Sequence, residues 1–304
     1  MVLGGRYLAG AGALTLLATA AGGLPPTKEG AWNIEHYSTC GGFLESPTFI
    51  DDDTLVASDP LGGNIFRISP EGKCETANQF DNQPNGLLLR PDGSLVVAVS
   101  NGLMIFHPAT GETNMLAESY EGGALGAVND LVADEQGGIY FTVPGGSDFA
   151  KRTGRVFYLA HEASDLQLIA ENLAFPNGIA ISPDGDNVLI AEFGAKRIVS
   201  YPSLHSKRRY NLAHVFAYTL GGIGPDGLAY GPSGELYVAN IEAGTVSIFT
   251  SEGQRQADIV LPPQAGRMPT NVSYHHGWLY ITEAQKGEIW RARQRGEEFH
   301  SPAM

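Results

Sequence analysis

Cysteine and basic residues are scarce in this chain of 304 residues, which holds two Cys and 19 Lys+Arg against 33 Asp+Glu. Two cysteines are too few for a disulfide scaffold or a zinc ribbon, and they do not form a C-x-x-C pair. The net charge of −14 repels phosphate backbones and anionic lipid head groups. We therefore expect no nucleic-acid partner. Hydrophobic residues still make up 43% of the chain, which is enough to bury a core and excludes a disordered protein.

The chain also lacks an apolar run of the roughly 20 residues that a membrane-spanning helix needs, so we expect no membrane span. The most apolar stretch, Tyr7 to Ala21, follows the single charge of Arg6 and ends in small residues around Ala18-Thr19-Ala20. These features are typical of a secretory signal peptide. We interpret residues 1–26 as a signal peptide or a disordered N-terminus, and residues 27–304 as a single domain.

A cleaved signal peptide would make the protein secreted or periplasmic. In such an oxidising compartment Cys40 and Cys74 are able to form a disulfide, although two buried free thiols fit the sequence equally well.

A short motif recurs six times along the chain, with an acidic or amide residue followed about seven residues later by a turn and an apolar strand. The clearest copy is Pro84-Asn85-Gly86-Leu87, which precedes Pro91-Asp92-Gly93 and the strand Leu95-Val96-Val97-Ala98. The lead residues of the six copies are Glu45, Asn85, Asn129, Asn177, Asp226 and Asn271. Their successive spacings of 40, 44, 48, 49 and 45 residues are those of four-stranded propeller blades.

This repeat predicts an all-β protein with the fold of a six-bladed β-propeller. Each turn and the strand after it form a hairpin signal, and no segment has a sustained helical period. Radial repetition closes the array of sheets. We expect Trp32 to Tyr37 to add an outer strand to the last blade and so join it to the N-terminus.

Equivalent positions of all blades face one central channel, so the six lead residues are expected to form a ring. Carboxylates and amides that converge in a partly buried ring are costly unless a cation neutralises them. Oxygen ligands of this kind suit hard ions. We expect one divalent cation, Ca²⁺ first, with Mg²⁺, Mn²⁺, Fe²⁺ or Zn²⁺ as alternatives.

A simpler interpretation is that each Asn-Gly or Asp-Gly pair only forms a turn. The Pro-Asp-Gly turns further along each repeat already reverse the chain, however, and Glu45 has no turn role.

The motifs Leu44-Glu45-Ser46-Pro47, Val128-Asn129-Asp130, Phe175-Pro176-Asn177-Gly178 and Pro225-Asp226-Gly227 resemble those of the gluconolactonase/regucalcin-like (senescence marker protein) family of six-bladed propellers. The resemblance covers about residues 40 to 292. It implies that Glu45, Asn129, Asn177 and Asp226 bind one divalent cation at the channel floor. It also implies a lactone-hydrolysing enzyme in which Asp226 acts as general base or nucleophile. Asn85 and Asn271 complete the ring and are candidates for binding substrate.

Two positions depart from the family pattern. An Arg that often stands two residues before the second ligand is replaced by Ala127, and Phe-Thr-Asp-Pro appears as Phe141-Thr142-Val143-Pro144. We therefore expect a pocket less polar than that of a sugar lactonase. Candidate aromatic residues for such a pocket, with strand packing as the alternative, are Tyr120, Phe149, Phe175, Phe193 and Tyr218.

The predicted function is a metal-dependent hydrolase of a lactone or related ester, with a small-molecule substrate, acting as a monomer or homodimer. Two alternatives remain open at this stage. One is a lyase, isomerase or cyclase that uses the same cation, and the other is a non-catalytic binding propeller.

Overall fold

The computed structural model describes residues 31–161, 163, 165–210 and 212–296. The predicted signal peptide or disordered N-terminus at residues 1–26 lies outside these residues. In the described part of the chain, no helix has the length and apolar character needed to cross a membrane.

Six antiparallel sheets of four strands each form the blades of a propeller, which confirms the predicted fold. Blade 1 comprises β2 (Glu45–Phe49), β3 (Leu55–Asp59), β4 (Asn64–Ile68) and β5 (Cys74–Gln79). Blade 2 comprises β6 (Leu87–Leu89), β7 (Leu95–Val99), β8 (Gly102–Phe106) and β9 (Thr113–Ala117). A short hairpin, β10 (Ser119–Tyr120) and β11 (Gly123–Ala124), connects it to the next blade.

The remaining blades repeat this order from the innermost strand outwards. Blade 3 comprises β12 (Leu131–Ala133), β13 (Ile139–Val143), β14 (Gly154–Leu159) and β15 (Leu166–Leu173). Blade 4 comprises β16 (Pro176–Ile181), β17 (Asn187–Glu192), β18 (Arg197–Pro202) and β19 (His214–Tyr218), with a single 3-10 turn at Phe193–Ala195. Blade 5 comprises β20 (Gly224–Tyr230), β21 (Leu236–Ile241), β22 (Thr245–Phe249) and β23 (Arg255–Val260).

The last blade is closed by the N-terminal part of the chain. Blade 6 comprises β24 (Pro269–His275), β25 (Trp278–Glu283), β26 (Glu288–Gln294) and the outer strand β1 (Trp32–Thr39). Strand β1 pairs antiparallel with β26 from Trp32 opposite Gln294 to Thr39 opposite Glu288. The predicted outer strand is therefore confirmed.

A disulfide joins the end of β1 to the outer strand of the neighbouring blade. Cys40 follows β1 and Cys74 begins β5, with their Cα atoms 5.4 Å apart. The bond therefore ties blade 6 to blade 1 at the junction where the ring closes.

The apolar core lies between neighbouring blades. Because side chains alternate along a strand, the second strand of a blade faces both neighbours. In β7, Val96 and Ala98 pack against Phe141 of blade 3, whereas Leu95 and Val97 pack against Ile65 of blade 1. This two-sided burial explains why the second strands are the most continuously apolar segments of the sequence.

Candidate functional site

The strand register identifies which residues of the six innermost strands are equivalent. Leu87 pairs with Val97 in blade 2, and the pairs that correspond to it in blades 3 to 6 are Leu131 with Phe141, Ile179 with Ile190, Leu228 with Val238, and Val272 with Ile281. Two residues before these positions, and at the same level of blade 1, lie Glu45, Asn85, Asn129, Asn177, Asp226 and Thr270. We call these six residues the lead ring.

The register corrects the predicted ring at one blade. Thr270 holds the lead position of blade 6, and Asn271 lies one residue further along the strand, at the level of Asp130. The two residues also bond alike. The backbone N–H of Asp130 donates to Thr142 Oγ1 at 3.1 Å, and that of Asn271 donates to Thr282 Oγ1 at 3.0 Å. Asn271 was predicted as the lead residue because Asn holds that position in three other blades. No glycine follows Asn271 that would indicate the register from the sequence.

Glycines fill the position after the lead residue in three blades because the backbones approach closely there. A Cβ atom added to Gly178 would lie 2.3 Å from the carbonyl oxygen of Asp226, and one added to Gly227 would lie 2.1 Å from Asn271 Oδ1. Asp130 and Asn271 are therefore side chains in a layer that is otherwise mostly bare backbone. They line a channel of about 320 Å³ that continues beyond the lead ring.

Three buried carboxylates lie in the lead ring or directly beside it. Glu45, Asp130 and Asp226 are 6%, 8% and 1% exposed. Burial, followed by the neighbouring charges of Asp226 and Asp130, raises the pKa of Glu45 well above its usual value, against a hydrogen bond from Asn271. Burial and the charge of Asp130 likewise raise the pKa of Asp226. Burial raises the pKa of Asp130 to about 6. Sequence reasoning missed Asp130, although its presence where other blades carry glycine was a visible signal.

The carboxylates are short of partners. Oδ1 of Asp226 is buried and has no hydrogen-bond partner among the described residues. No described Lys, Arg or His forms an ion pair with Glu45, Asp130 or Asp226. Such an arrangement is costly without a compensating cation. Since no three described His, Cys, Asp or Glu side chains are placed to hold an ion by themselves, amide oxygens would have to complete a ligand set.

The Asn residues of the ring carry amide oxygens of the kind that could complete the ligand set. Asn177 is 7% exposed and donates a side-chain hydrogen bond to Asp226, whereas Asn85 and Asn129 are only half-buried. Thr142 Oγ1 in blade 3 donates to the carbonyl oxygen of Asn177 in blade 4 at 2.7 Å. Ser58 of blade 1 bonds the carbonyl of Asn85 in the same way at 2.5 Å. These bonds between blades fix the backbone of the ring. The donor chemistry fits a hard divalent cation, while the individual ligands stay predictions.

A second set of buried carboxylates holds the loops that lead into the ring. Asp59 accepts the N–H of Phe43, Glu192 that of Ala174, and Glu283 that of Met268, at 3.0, 2.9 and 3.0 Å. These three acids stand at equivalent positions at the ends of β3, β17 and β25. They are loop anchors, distinct in role from the carboxylates of the ring.

Val143 occupies this anchor position in blade 3, which corrects its predicted role. It is fully buried and packs with Leu125 and Val128, so it does not make the pocket less polar. In blade 3 the packing of this apolar side chain fixes the loop, whereas in three other blades a carboxylate fixes it through hydrogen bonds. Ala127 is exposed, and the less polar pocket stays a prediction that depends on this position alone.

The candidate aromatic residues differ in exposure and in the residues they pack against. Phe175 and Phe193 are half-buried and pack together with ring centroids 5.5 Å apart. Tyr120 packs against Phe157, while Phe149 and Tyr218 are 66% and 63% exposed.

Known proteins resemble this chain in sequence as well as in fold. Residues 43–285 match the family model described as SMP-30/Gluconolactonase/LRE-like region. Lactonase drp35 of Staphylococcus saprophyticus is 27% identical over 228 residues, covering 72% of this chain and 70% of that protein.

Two solved structures share the fold. A gluconolactonase from Xanthomonas campestris has a TM-score of 0.75 at 22% identity and covers 87% of this chain and 90% of its own. A calcium-binding protein, regucalcin, from Agrobacterium tumefaciens has a TM-score of 0.70 at 18% identity, with 88% and 99% covered.

Proposed function

The chain belongs to the SMP-30/gluconolactonase/LRE-like family, and from this premise we propose that it is a metal-dependent hydrolase that opens a lactone or related ester. The observation that carries the proposal is the buried Oδ1 of Asp226, which has no hydrogen-bond partner in the described part of the chain and lies beside the carboxylates of Glu45 and Asp130. The named lactonase and gluconolactonase relatives support the same reaction class.

Glu45, Asn129, Asn177 and Asp226 would hold one divalent cation, with Ca²⁺ as the first expectation. The regucalcin likeness and the oxygen donors support this choice. A cation bound there supplies Lewis acidity toward a substrate carbonyl.

The side chains themselves account for the proton movement and for orientation. Asp226 acts as general base, taking the proton of the attacking water on a carboxylate oxygen to which no described residue forms a hydrogen bond. Burial and the charge of Asp130 raise its pKa in the protein alone, whereas a bound cation would lower this pKa and keep the carboxylate ionised, which is the form that accepts a proton. Asn85 and Asn271 are proposed to bind substrate oxygens from the two blades that flank blade 1.

The substrate is proposed to be less polar than gluconolactone because Ala127 places a methyl group where the family pattern has an Arg. The protein is proposed to act as a monomer or homodimer in a secreted or periplasmic location. The Cys40–Cys74 disulfide supports an oxidising compartment.

A direct test is to strip the purified protein with chelator and measure hydrolysis of a lactone panel with and without added Ca²⁺, Mg²⁺, Mn²⁺, Fe²⁺ and Zn²⁺. We expect metal-dependent ring opening, and a loss in kcat of about a hundredfold or more in Asp226→Asn. Asp81→Asn, an exposed aspartate outside the ring, is the matched control and should keep full activity.

Full activity of Asp226→Asn would remove its assigned role. Stoichiometric metal binding without turnover of any lactone would instead favour a lyase, isomerase or cyclase, or a binding propeller.

A further inference from the structure

Phe175 is held in an unfavourable backbone conformation directly before the ring. Its φ is +53°, in the left-handed region that non-glycine residues rarely adopt, and it precedes Pro176, which favours an extended residue before it. Asn177 follows two residues later. Gln83, which precedes Pro84 at the equivalent position of blade 2, has a φ of +52°, so this conformation belongs to the Pro-Asn-Gly repeat and sets how the chain enters the strand.

Three neighbouring segments fix this residue. The N–H of Phe175 donates to Ser147 Oγ at 2.8 Å, and its carbonyl accepts the N–H of Phe193 at 3.0 Å. The preceding Ala174 is bound through its N–H to Glu192 at 2.9 Å and through its carbonyl to the N–H of Gly194 at 2.9 Å. These bonds fix the backbone of Ala174 and Phe175, so the Phe175 ring is attached to a rigid part of the loop.

Phe193 extends the same apolar surface to the next blade. A Cβ atom added to Gly224 would lie 2.5 Å from the carbonyl oxygen of Phe193 and 2.7 Å from its ring. Gly224 stands two residues before Asp226, so the ring lies against the start of the strand that carries the proposed base. Blade 1 carries Phe43 at the position of Phe175 but Pro60 and Leu61 in the equivalent turn, so it lacks the second ring of the pair.

We propose that Phe175 and Phe193 form an apolar platform that binds the non-reacting part of the substrate and determines specificity. This inference rests on the proposed function. The two rings lie at the entries of the neighbouring strands that carry Asn177 and Asp226, and each is only half-buried. Further exposed apolar residues, Leu220 and Ile223, lie in the loop before Gly224, at 49% and 43% exposure. The platform suits a cyclic ester that carries an alkyl chain beside its ring.

Turnover tests the platform by comparing two lactones that share one reacting ring. δ-Valerolactone has no side chain, whereas δ-decalactone has a pentyl group. Phe175→Asn removes the aromatic ring but keeps a residue that tolerates the left-handed conformation. In this variant we expect kcat/KM for δ-decalactone to fall about tenfold or more, with δ-valerolactone changed by no more than about twofold.

Two further variants separate contact from folding. Phe193→Leu keeps apolar bulk against Gly224 and should retain most of the preference for the pentyl chain. Leu61→Ala removes a side chain that is 76% exposed in the equivalent turn of blade 1 and should behave as wild type. An equal loss for both lactones in Phe175→Asn, or no loss for either, would overturn the platform.

Binding gives a readout that does not depend on hydrolysis. 3-Pentylcyclohexanone and cyclohexanone have the same six-membered ring and the same chain position as the two lactones but contain no ester bond, and their dissociation constants can be measured by calorimetry. Wild type should bind the pentyl ketone about tenfold more tightly or better, and Phe175→Asn should lose this difference.

A preserved ketone preference in a protein that opens no lactone would refute the proposed function and leave the platform standing. Equal binding of the two ketones by wild type would refute the platform alone.

Discussion

Buried carboxylates of two kinds distinguish the ring from its supports. Asp59, Glu192 and Glu283 accept backbone N–H groups, so their burial is compensated within the fold. Asp226 has a buried oxygen without a hydrogen-bond partner among residues 31–296 as far as they are described and, like Glu45, has a raised pKa. Uncompensated buried carboxylates destabilise a fold, so Asp226 and Glu45 are the residues that indicate a functional site.

Glu192→Gln tests the anchoring role at the level of one residue. Glu192 is fully buried and accepts Arg197 Nε at 2.5 Å as well as the N–H of Ala174. The amide can still accept the N–H but leaves Arg197 without its charge partner, so we expect the free energy of unfolding to fall by about 3 kcal/mol. Denaturant titration measures this loss. Glu171→Gln, on an exposed position of β15, should change stability by less than about 0.5 kcal/mol, and an equal loss there would argue against anchoring.

The ring shows how far single residues could be predicted. The register confirms that five of the predicted lead residues are equivalent, namely Glu45, Asn85, Asn129, Asn177 and Asp226. They could be predicted because a glycine or another small residue follows most of them and marks the close approach of backbones. Blade 6 was misaligned by one residue because Thr270 has neither charge nor amide. Asp130 is not among the predicted residues because Asn129, directly before it, already supplies the lead position of that blade. The positions of Asp130 and Thr270 depend on contacts with adjacent blades, and a repeat in the linear sequence does not show these contacts.

At the level of elements, the closing strand β1 is held by backbone pairing and by one covalent bond. The Cys40–Cys74 disulfide spans a sequence separation of 34 residues. Restriction of the unfolded chain by a loop of that size corresponds to about 3–4 kcal/mol. Reduction should therefore lower the melting temperature of the folded protein.

Thermal melts with and without reductant measure this contribution. The double variant Cys40→Ala/Cys74→Ala should melt at the lower temperature in both conditions and show no response to reductant. A wild-type melting temperature that does not change when free thiols are shown to have formed would contradict a stabilising role for the bond.

For the molecule as a whole, the blade count and the closure by residues 32–37 followed from spacing, since each blade needs the same four strands to bury its two faces. The role of Val143 did not follow. Its position at the end of β13 is one where carboxylates in other blades anchor a loop, and only the packed structure shows that an apolar cluster replaces that anchor. The pairing of Cys40 with Cys74 likewise depends on the ring bringing blade 6 against blade 1.

The stability of the whole propeller should depend jointly on pH and on a divalent cation. In chelated protein the raised pKa values of Glu45, Asp226 and Asp130, the last at about 6, mean that the folded state binds protons more tightly than the unfolded state. This contribution is fully present below about pH 4 and is lost as the pH rises through 6 and beyond.

Calcium should reverse that loss, because it binds the ionised carboxylates. At a concentration of a hundred times its dissociation constant, we expect Ca²⁺ to raise the melting temperature by about 5 °C at pH 7.5 and by clearly less at pH 5, where protons compete. Calorimetric melts at both pH values, with chelator or Ca²⁺, measure the effect. Asp226→Asn should lose most of the calcium shift, whereas Asp81→Asn should keep it. An equal shift at both pH values, or an undiminished shift in Asp226→Asn, would place the cation elsewhere in the molecule.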